Sequence, residues 1–148
     1  MTTRKSQMMK NDINSERYIA FITDTHAGVR NDSEIFAAYQ KKFYDEVFFP
    51  EVKARNIKTV IHGGDYFERR KIINFRSLEL NIEMFVKPLV DNKMQMHMIV
   101  GNHDVAYKNT NRLNSPELLL SAYADNIHLY SQPTTLFGNR TDKPIHLV

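Results

Sequence analysis

Three short polar clusters in this sequence contain the residue types that bind metal ions and transfer protons. They are Asp-Thr-His at residues 24–26, Gly-Asp-Tyr-Phe at residues 64–67, and Gly-Asn-His-Asp at residues 101–104. Together they offer carboxylate, imidazole and amide oxygen groups, a ligand set suited to Mn, Fe, Zn or Co ions. Each cluster alone is also compatible with an ordinary turn or helix cap, so the prediction depends on their occurring together.

The composition limits which ligands and which compartments are available. Cysteine is absent from the 148 residues, so disulfides and thiolate metal sites are excluded. The formal charge of +3 is compatible with a nucleic-acid partner but does not by itself indicate one. No run approaches about 18 consecutive apolar residues, and the start of the sequence is polar. We therefore expect a cytosolic protein with no membrane contact.

The elements that must position the clusters follow a βαβ pattern. Short apolar runs rich in β-branched residues alternate with stretches of helical spacing, which predicts an α/β fold with a largely parallel sheet. Strands are predicted over residues 18–23, 59–62 and 96–100, each ending close to one cluster. The first, which contains Phe21, has the apolar character of a strand buried on both faces. Because ligands bind beyond the carboxyl ends of parallel strands, the clusters should converge at one edge of the sheet.

Two long helices are predicted between these strands. The first starts near Asp32 or Ser33 and is kinked or ended by Pro50, with its apolar stripe formed by Ile35, Tyr39, Phe43 and Val47. The second runs from Asn74 to Val90, with its apolar side formed by Leu78, Ile82, Phe85 and Leu89.

The remaining segments are predicted as short elements. A polar loop spans residues 106–114, and a short helix capped by Ser115 follows, with residues 118–120 in the core. Three short strands follow near residues 127–129, 134–136 and 145–148. Residues 1–16 are expected to form a mobile arm, and residues 17–148 show no internal domain boundary.

The order of the three clusters resembles the first three motifs of the calcineurin-like metallophosphoesterases. Within that superfamily, residues 18–136 are similar to nuclease subunits of the SbcD type and to phage recombination endonucleases. The segments GGDYFERRKIINFRSLEL, MHMIVGNHDVAYKNTNRLNSPELL and HLYSQPTT carry this closer similarity. The resemblance implies a metallophosphoesterase sandwich, of which this chain is the N-terminal portion, and a metal-dependent DNA nuclease activity. It also implies the host-cell cytoplasm as location if the protein is phage-encoded.

The resemblance assigns four residues to metal binding. Asp24 and His26 would bind the first ion, Asp65 would bridge the two ions, and Asn102 would bind the second. Two divalent ions are implied, with Mn expected and Mg, Fe, Zn or Co as alternatives. Such ions acidify water and offset negative charge on a phosphodiester as its transition state forms.

The resemblance assigns two further residues to catalysis and also shows a gap. His103 would act at the leaving oxygen, and Asp104 would orient it. The two later histidine motifs of the family, an isolated His and a Gly-His-x-His, do not occur before Val148. His128 and His146 lie inside predicted strands and are interpreted as structural. The second metal site is therefore expected to be incomplete in this chain.

Basic residues near the second and third clusters are candidate contacts for the DNA backbone: Arg69, Arg70, Lys71, Lys108 and Arg112. A solvated basic surface explains them equally well. The resemblance also implies an SMC-like ATPase subunit as partner, and it leaves a homodimer through the second helix open.

Two other functions are compatible with the sequence. One is a calcineurin-like phosphoesterase that acts on a phosphoprotein or a small phosphoester. The other is a truncated, inactive module that is retained to bind DNA or a partner protein, as the absent histidine motifs would allow.

Overall fold

The computed structural model describes residues 12–13, 18–107, 110–138 and 144–148, and of residues 12–13, 107, 110–112 and 138 it describes the backbone. The arm predicted over residues 1–16 lies outside the described residues, apart from one short strand at Asp12–Ile13. Among the described residues the strands are β1 (Asp12–Ile13), β2 (Ala20–Ile22), β3 (Thr59–His62), β4 (Gln95–Ile99), β5 (Val105–Tyr107), β6 (Thr110–Asn114), β7 (Ile127–Tyr130), β8 (Thr134–Gly138) and β9 (Ile145–Leu147).

The central element is a four-stranded sheet in the order β2-β3-β4-β7, and every neighbouring pair in it is parallel. A second sheet has the order β1-β8-β9, in which β1 and β8 are parallel and β8 and β9 are antiparallel. The strands predicted before the three clusters are therefore neighbours, and their carboxyl ends lie at one edge.

Two long helices connect the first three parallel strands. Helix α1 has three consecutive segments, Glu34–Phe43, Tyr44–Phe48 and Phe49–Ala54, of which the middle one is a π-helix. Helix α2 repeats this arrangement with Phe75–Asn81, the π-helical Ile82–Val86, and Lys87–Asp91. The side chain of Asn74 caps α2 by accepting a hydrogen bond from the backbone of Arg76. A short helix α3 spans Ser115–Leu119.

The π-helical segments explain how both long helices continue through a proline. Proline has no backbone N–H, and its ring clashes with the carbonyl four residues earlier in an α-helix. The residue before Pro50, Phe49, bonds to the carbonyl of Tyr44, five residues back, and this wider turn accommodates the ring. The same spacing precedes Pro88. Pro50 was predicted to kink or end the first helix. It does not end the helix, which continues to Ala54, and the irregularity beside it is the π-helical segment Tyr44–Phe48.

Both faces of the parallel sheet are covered. The larger core lies between the sheet and the helices and contains fully buried Val60, Phe85, Leu89 and Met96. On the other face, Ile61 packs with the second sheet, against the side chains of Leu136 and Leu147. The predicted α/β fold with a largely parallel sheet is confirmed, and its layers are helices, parallel sheet and second sheet.

Residues of one predicted strand and of one predicted helix stripe are exposed instead of buried. Phe21 is 69% exposed, because β2 is the edge strand of its sheet and pairs with β3 alone. The predicted stripe of α1 is also exposed, with Ile35 and Tyr39 both at 68%. Buried contacts of α1 begin in the π-helical segment, whose wider turn changes the side that faces the core, and the buried residues are Tyr44, Phe48, Phe49 and Val52.

The segment after the third cluster differs from the prediction. Residues 106–114 were expected to form a polar loop, but β5 and β6 pair as an antiparallel hairpin. Helix α3 is capped by the side chain of Asn114, and Ser115 is its first residue. Leu118 is exposed, while Leu120, just after the helix, is buried, so only part of the run 118–120 lies in the core as predicted. The three short strands expected near the end of the sequence are present as β7, β8 and β9.

Candidate metal centre

The first two clusters lie side by side because the pairing of β2 with β3 continues past the strand ends. The backbone N–H of Asp24 donates to the carbonyl of Gly64 at 3.1 Å. The N–H of His26 donates to the carbonyl of Asp65, also at 3.1 Å. The two loops therefore run together in parallel and hold their side chains at a fixed spacing.

The third cluster reaches the second through two glycines. Gly64 has φ +97°, and a Cβ atom there would lie 2.8 Å from the Cα of Gly101. A Cβ at Gly101 would lie 2.2 Å from the backbone nitrogen of Asp65. Neither position tolerates a side chain without moving backbone, so the glycines allow the two loops to touch.

Asp24, His26 and Asp65 form a group in which one ligand atom from each lies within 4.8 Å of the others. The His26 Nε2 and Asp24 Oδ1 atoms are 3.6 Å apart. Two ligands about 2.0–2.2 Å from one ion are separated by roughly 3 to 3.5 Å. The donor types and this spacing therefore fit a divalent ion.

All three of these residues have a left-handed backbone conformation, with φ values of 53°, 44° and 53° respectively. Such values are uncommon outside glycine, and they cluster at functional sites where the surrounding structure enforces them. Aspartate tolerates this conformation better than most residues. The backbone hydrogen bonds between the loops supply that enforcement here.

His103 lies beside this group. Its backbone N–H donates to the Oδ1 atom of Asp65 at 2.8 Å, and its ring Nδ1 lies 2.8 Å from the carbonyl oxygen of Glu68. The rings of His103 and His26 are 5.1 Å apart and nearly perpendicular. His26, Glu68 and His103 form a second group whose ligand atoms lie within 4.8 Å of one another.

Asp104 has different partners from those predicted. Its side chain is fully buried, and its Oδ1 atom accepts the backbone N–H groups of Tyr66 at 2.9 Å and Phe67 at 3.1 Å. Its Oδ2 atom accepts the N–H of Gly101 at 2.9 Å. Burial raises the pKa of Asp104, against the opposing effect of these hydrogen bonds. The ring of His103 contacts the Glu68 carbonyl instead, and the side chain of Asp104 joins the second and third loops.

Asn102 and Glu68 also lie in the loops of the centre. Asn102 is exposed in the turn between Gly101 and His103, and its role as a metal ligand stays a prediction. Glu68 was not singled out from the sequence. Its position three residues after Asp65, on the same strand-end loop, was the available signal.

The remaining histidines lie on strands, outside the group formed by Asp24, His26 and Asp65. His62 is buried, contacts the hydroxyl of Thr25 at 3.0 Å, and has a pKa lowered to about 4 by burial. His97 stacks on His128 with ring centres 4.8 Å apart, and burial lowers its pKa to about 4. His146 is exposed on β9.

The candidate DNA contacts are not equivalent. The Arg69 guanidinium donates to Asn31 and lies 3.5 Å from an Asp32 carboxylate oxygen, so it is already ion-paired within the protein. Arg70 and Lys71 line a surface groove of about 450 Å³. Lys108 lies outside the described residues, and Arg112 lies on β6 with its backbone alone described.

The groove beside Arg70 and Lys71 is mostly apolar. Its lining includes Phe75 at the start of α2 and Leu118 on α3, which are 88% and 65% exposed. Isolated exposed apolar residues are ordinary, whereas a contiguous apolar groove marks an interaction surface.

In the described part of the chain, no helix has the length and apolar character needed to cross a membrane.

Comparisons with known proteins agree with the geometry of the strand-end loops. The chain is 36% identical over 113 residues to exonuclease subunit 1 of Enterobacteria phage T4, a match that covers 76% of this chain and 32% of that protein. A sequence model of the calcineurin-like phosphoesterases matches residues 17–144. The chain therefore belongs to the calcineurin-like phosphoesterase family.

Proposed function

We propose that this chain is the metal-binding N-terminal part of a DNA nuclease subunit that hydrolyses phosphodiester bonds with two divalent ions. The observation that carries the proposal is the convergence of Asp24, His26 and Asp65 within 4.8 Å at the carboxyl ends of adjacent strands. The phage T4 relative is described as an exonuclease subunit, which supports DNA as the substrate.

In this proposal, the residues of the centre have different roles. Divalent ions, with Mn as the expected metal, would supply Lewis-acid chemistry that acidifies water and offsets charge on the phosphate. Asp24, His26 and Asp65 would hold the ions. His103 would place its ring beside the leaving oxygen and donate a proton there, while the buried carboxylate of Asp104 keeps its loop against that of Asp65.

The second ion requires ligands beyond this group. The two described groups that could hold a metal share His26, so they do not form two independent sites. Asn102 would contribute one ligand to the second ion, and histidines from further polypeptide would supply the rest. The centre of this chain is accordingly half of a two-metal site.

The assembly we propose contains DNA and an SMC-like ATPase subunit, and acts in DNA repair or recombination. The name of the phage T4 relative as a subunit supports a partner protein. Arg70 and Lys71 lie next to the metal centre in sequence and line an open groove, where they can meet DNA phosphates.

We further propose a homodimer, with the apolar part of this groove as its interface and the basic residues at its rim left for DNA. The apolar groove between α2 and the β5–β6 hairpin exposes Phe75 and Leu118, as a helical interface requires. Phe75→Asp should convert a dimer to a monomer in sedimentation equilibrium while the circular dichroism spectrum stays that of the folded chain, since the side chain is 88% exposed. An unchanged dimer mass would move the interface elsewhere.

An inactive binding module is the second candidate. It is favoured by the sharing of His26 between the two described ligand groups, because a centre with one ion lacks the clamp on attacking and leaving oxygens. This candidate predicts DNA binding without cleavage, even when the complete complex is assembled.

The test compares cleavage of DNA ends with hydrolysis of a small aryl phosphate by the complete enzyme in Mn²⁺. Asp65→Asn should lower DNA cleavage on the order of 100-fold or more, because it removes the charge of the bridging carboxylate. Asparagine tolerates the φ of 53° and can still accept the N–H of His103, so the fold should persist.

The matched control is Asp125→Asn, which changes an exposed aspartate in a turn and should leave cleavage unchanged. DNA cleavage that survives Asp65→Asn would reject the site. Hydrolysis of the aryl phosphate without DNA cleavage would identify a phosphoesterase with another substrate.

A further inference from the structure

Glu68 lies between the two imidazole rings of the metal centre and contacts each through a different part of the residue. Its carboxylate Oε2 lies 2.9 Å from Nδ1 of His26. Its backbone carbonyl oxygen lies 2.8 Å from Nδ1 of His103. The side chains of Glu68 and His26 are 33% and 25% exposed, respectively, so water screens these contacts only in part.

The contact with His103 determines where that ring carries its proton. A backbone carbonyl can accept a hydrogen bond and cannot donate one. Nδ1 of His103 must therefore be protonated to bond to the Glu68 carbonyl at 2.8 Å. Nε2 is then the atom that remains to exchange a proton with a substrate oxygen.

The contact with His26 places its proton in the same way. Nδ1 of His26 is buried, and among the described residues it has no regular hydrogen-bond partner. The Glu68 Oε2 atom is within reach at 2.9 Å but lies off the line of a regular hydrogen bond. A carboxylate turns easily about its terminal bond, and when ionised it can only accept. Pairing with Glu68 requires a proton on Nδ1 and leaves the Nε2 lone pair for a metal.

The free nitrogen of His26 is on the side of the other metal-binding residues. Nε2 lies 3.6 Å from Asp24 Oδ1, near the spacing of two ligands on one ion. Carboxylates that hold the second nitrogen of a ligating histidine fix the tautomer and orientation of the ring. The carboxylate of Glu68 lies where it can hold the second ring nitrogen of His26 in this way.

We propose that Glu68 is the positioning residue that assigns the proton in both imidazoles, through its carboxylate for His26 and through its backbone carbonyl for His103. This inference rests on the proposed function for its purpose. The proton positions themselves are properties of the chain without metal or DNA. One residue in the second loop thus prepares one histidine for metal binding and the other for proton transfer.

The proposal is tested by nitrogen-15 NMR of the histidine side chains in the metal-free 148-residue chain, above the pH at which imidazoles are charged. Wild-type His26 and His103 should both show the Nδ1–H tautomer. In Glu68→Ala, His26 should shift toward the Nε2–H tautomer, while His103 should stay unchanged because residue 68 keeps its backbone carbonyl. This difference between two rings is a result that general loss of structure would not produce.

Two variants keep the test decisive. Glu68→Gln retains an acceptor oxygen at the same reach and should restore the Nδ1–H tautomer of His26. Glu79→Ala removes an exposed carboxylate that pairs with Arg76 on α2, and should leave both rings as in the wild type. Unchanged His26 signals in Glu68→Ala, or equal changes in both rings, would overturn the proposal.

Titration with Mn²⁺ alone links the proton position to metal binding. Glu68→Ala should weaken Mn²⁺ binding by roughly 10- to 100-fold, and Glu68→Gln should weaken it less. A shifted tautomer with unchanged affinity would overturn the link to the metal. If the complete wild-type enzyme failed to cleave DNA, the proposed function would be rejected while the NMR result stood, so the two failures are distinguishable.

Discussion

Replacing Asp104 should destabilise the protein strongly, because its carboxylate joins the loops of the second and third clusters. It accepts three backbone N–H groups, two on Oδ1 and one on Oδ2, and its side chain is fully buried. Alanine would leave three donors without this partner, the buried N–H groups of Tyr66 and Phe67 and the part-buried N–H of Gly101. Each buried donor costs about 1–3 kcal/mol and the part-buried one less, so we expect Asp104→Ala to lower the free energy of unfolding by roughly 2–8 kcal/mol.

Asparagine separates the geometry of Asp104 from its charge. Its amide oxygen can still accept the N–H groups of Tyr66 and Phe67, but its NH₂ group would face the N–H of Gly101. One charge-assisted hydrogen bond is lost, which costs about 1.5–3 kcal/mol. The neutral amide also avoids burial of a charge, the effect that raises the pKa of Asp104. We therefore expect a smaller loss of about 1–2 kcal/mol for Asp104→Asn.

Urea unfolding at pH 7, followed by circular dichroism, measures both variants. The control is Asp125→Asn at an exposed turn position, which should change stability by no more than about 0.5 kcal/mol. If Asp104→Ala loses no more than this control, the three hydrogen bonds do not hold the loops together and the reasoning is refuted.

Three further outcomes are expected. Burial and the neighbouring His128 lower the pKa of His97 to about 4, whereas an unfolded histidine titrates near 6.5. The folded protein therefore binds fewer protons between these values, and up to about 3 kcal/mol of stability, present above pH 6.5, is lost as the pH falls to about 4. In urea unfolding experiments at a series of pH values, His97→Gln should reduce this loss of stability between pH 6.5 and pH 4. An equal loss in the variant would contradict the attribution to His97. His103→Ala should remove most cleavage yet preserve Mn²⁺ affinity, whereas loss of affinity equal to that of Asp65→Asn would make His103 a ligand. The three basic residues after the second cluster are Arg69, Arg70 and Lys71. Replacing them with alanine should weaken DNA binding and lower the slope of log affinity against log salt concentration by about one per lost phosphate contact, with a smaller contribution from the ion-paired arginine. An unchanged slope would mean that these residues form a solvated surface and do not contact DNA.

The parallel sheet could be predicted because its strands combine apolar character with abrupt polar ends. Strand β3 agrees with the prediction at both ends, residues 59 and 62, since the two glycines after His62 stop the run. The side of α1 that packs against the core could not be predicted in the same way. An interval of four residues is regular along an α-helix, but a π-helical segment at Tyr44–Phe48 changes the phase. Its presence is linked to Pro50, which was predicted to kink or end the helix.

The hairpin after the third cluster was missed because its residues lack alternating apolar character. Residues 108–112 are Lys-Asn-Thr-Asn-Arg, a composition that favours a loop. Pairing of β5 with β6 supplies the backbone hydrogen bonds that side-chain pattern does not indicate.

The residues of the candidate centre could be predicted from the sequence more readily than the contacts that they make. The position of the clusters after parallel strands was enough to bring Asp24, His26 and Asp65 together. The partner of the His103 ring was not predictable, because it is a backbone carbonyl, that of Glu68, and carries no side-chain signal. The resemblance assigned Asp104 to orient that ring, whereas its oxygens accept hydrogen bonds from backbone N–H groups.

The most direct test of the metal centre is calorimetric titration of the 148-residue chain with Mn²⁺. We expect one tightly bound ion, because a second would depend on the shared Asp65 carboxylate and the amide of Asn102 against repulsion from its neighbour. Asp65→Asn should abolish this binding, and Asp125→Asn should retain it. Two tightly bound ions, or binding that Asp65→Asn leaves unchanged, would contradict the metal centre described for these three loops.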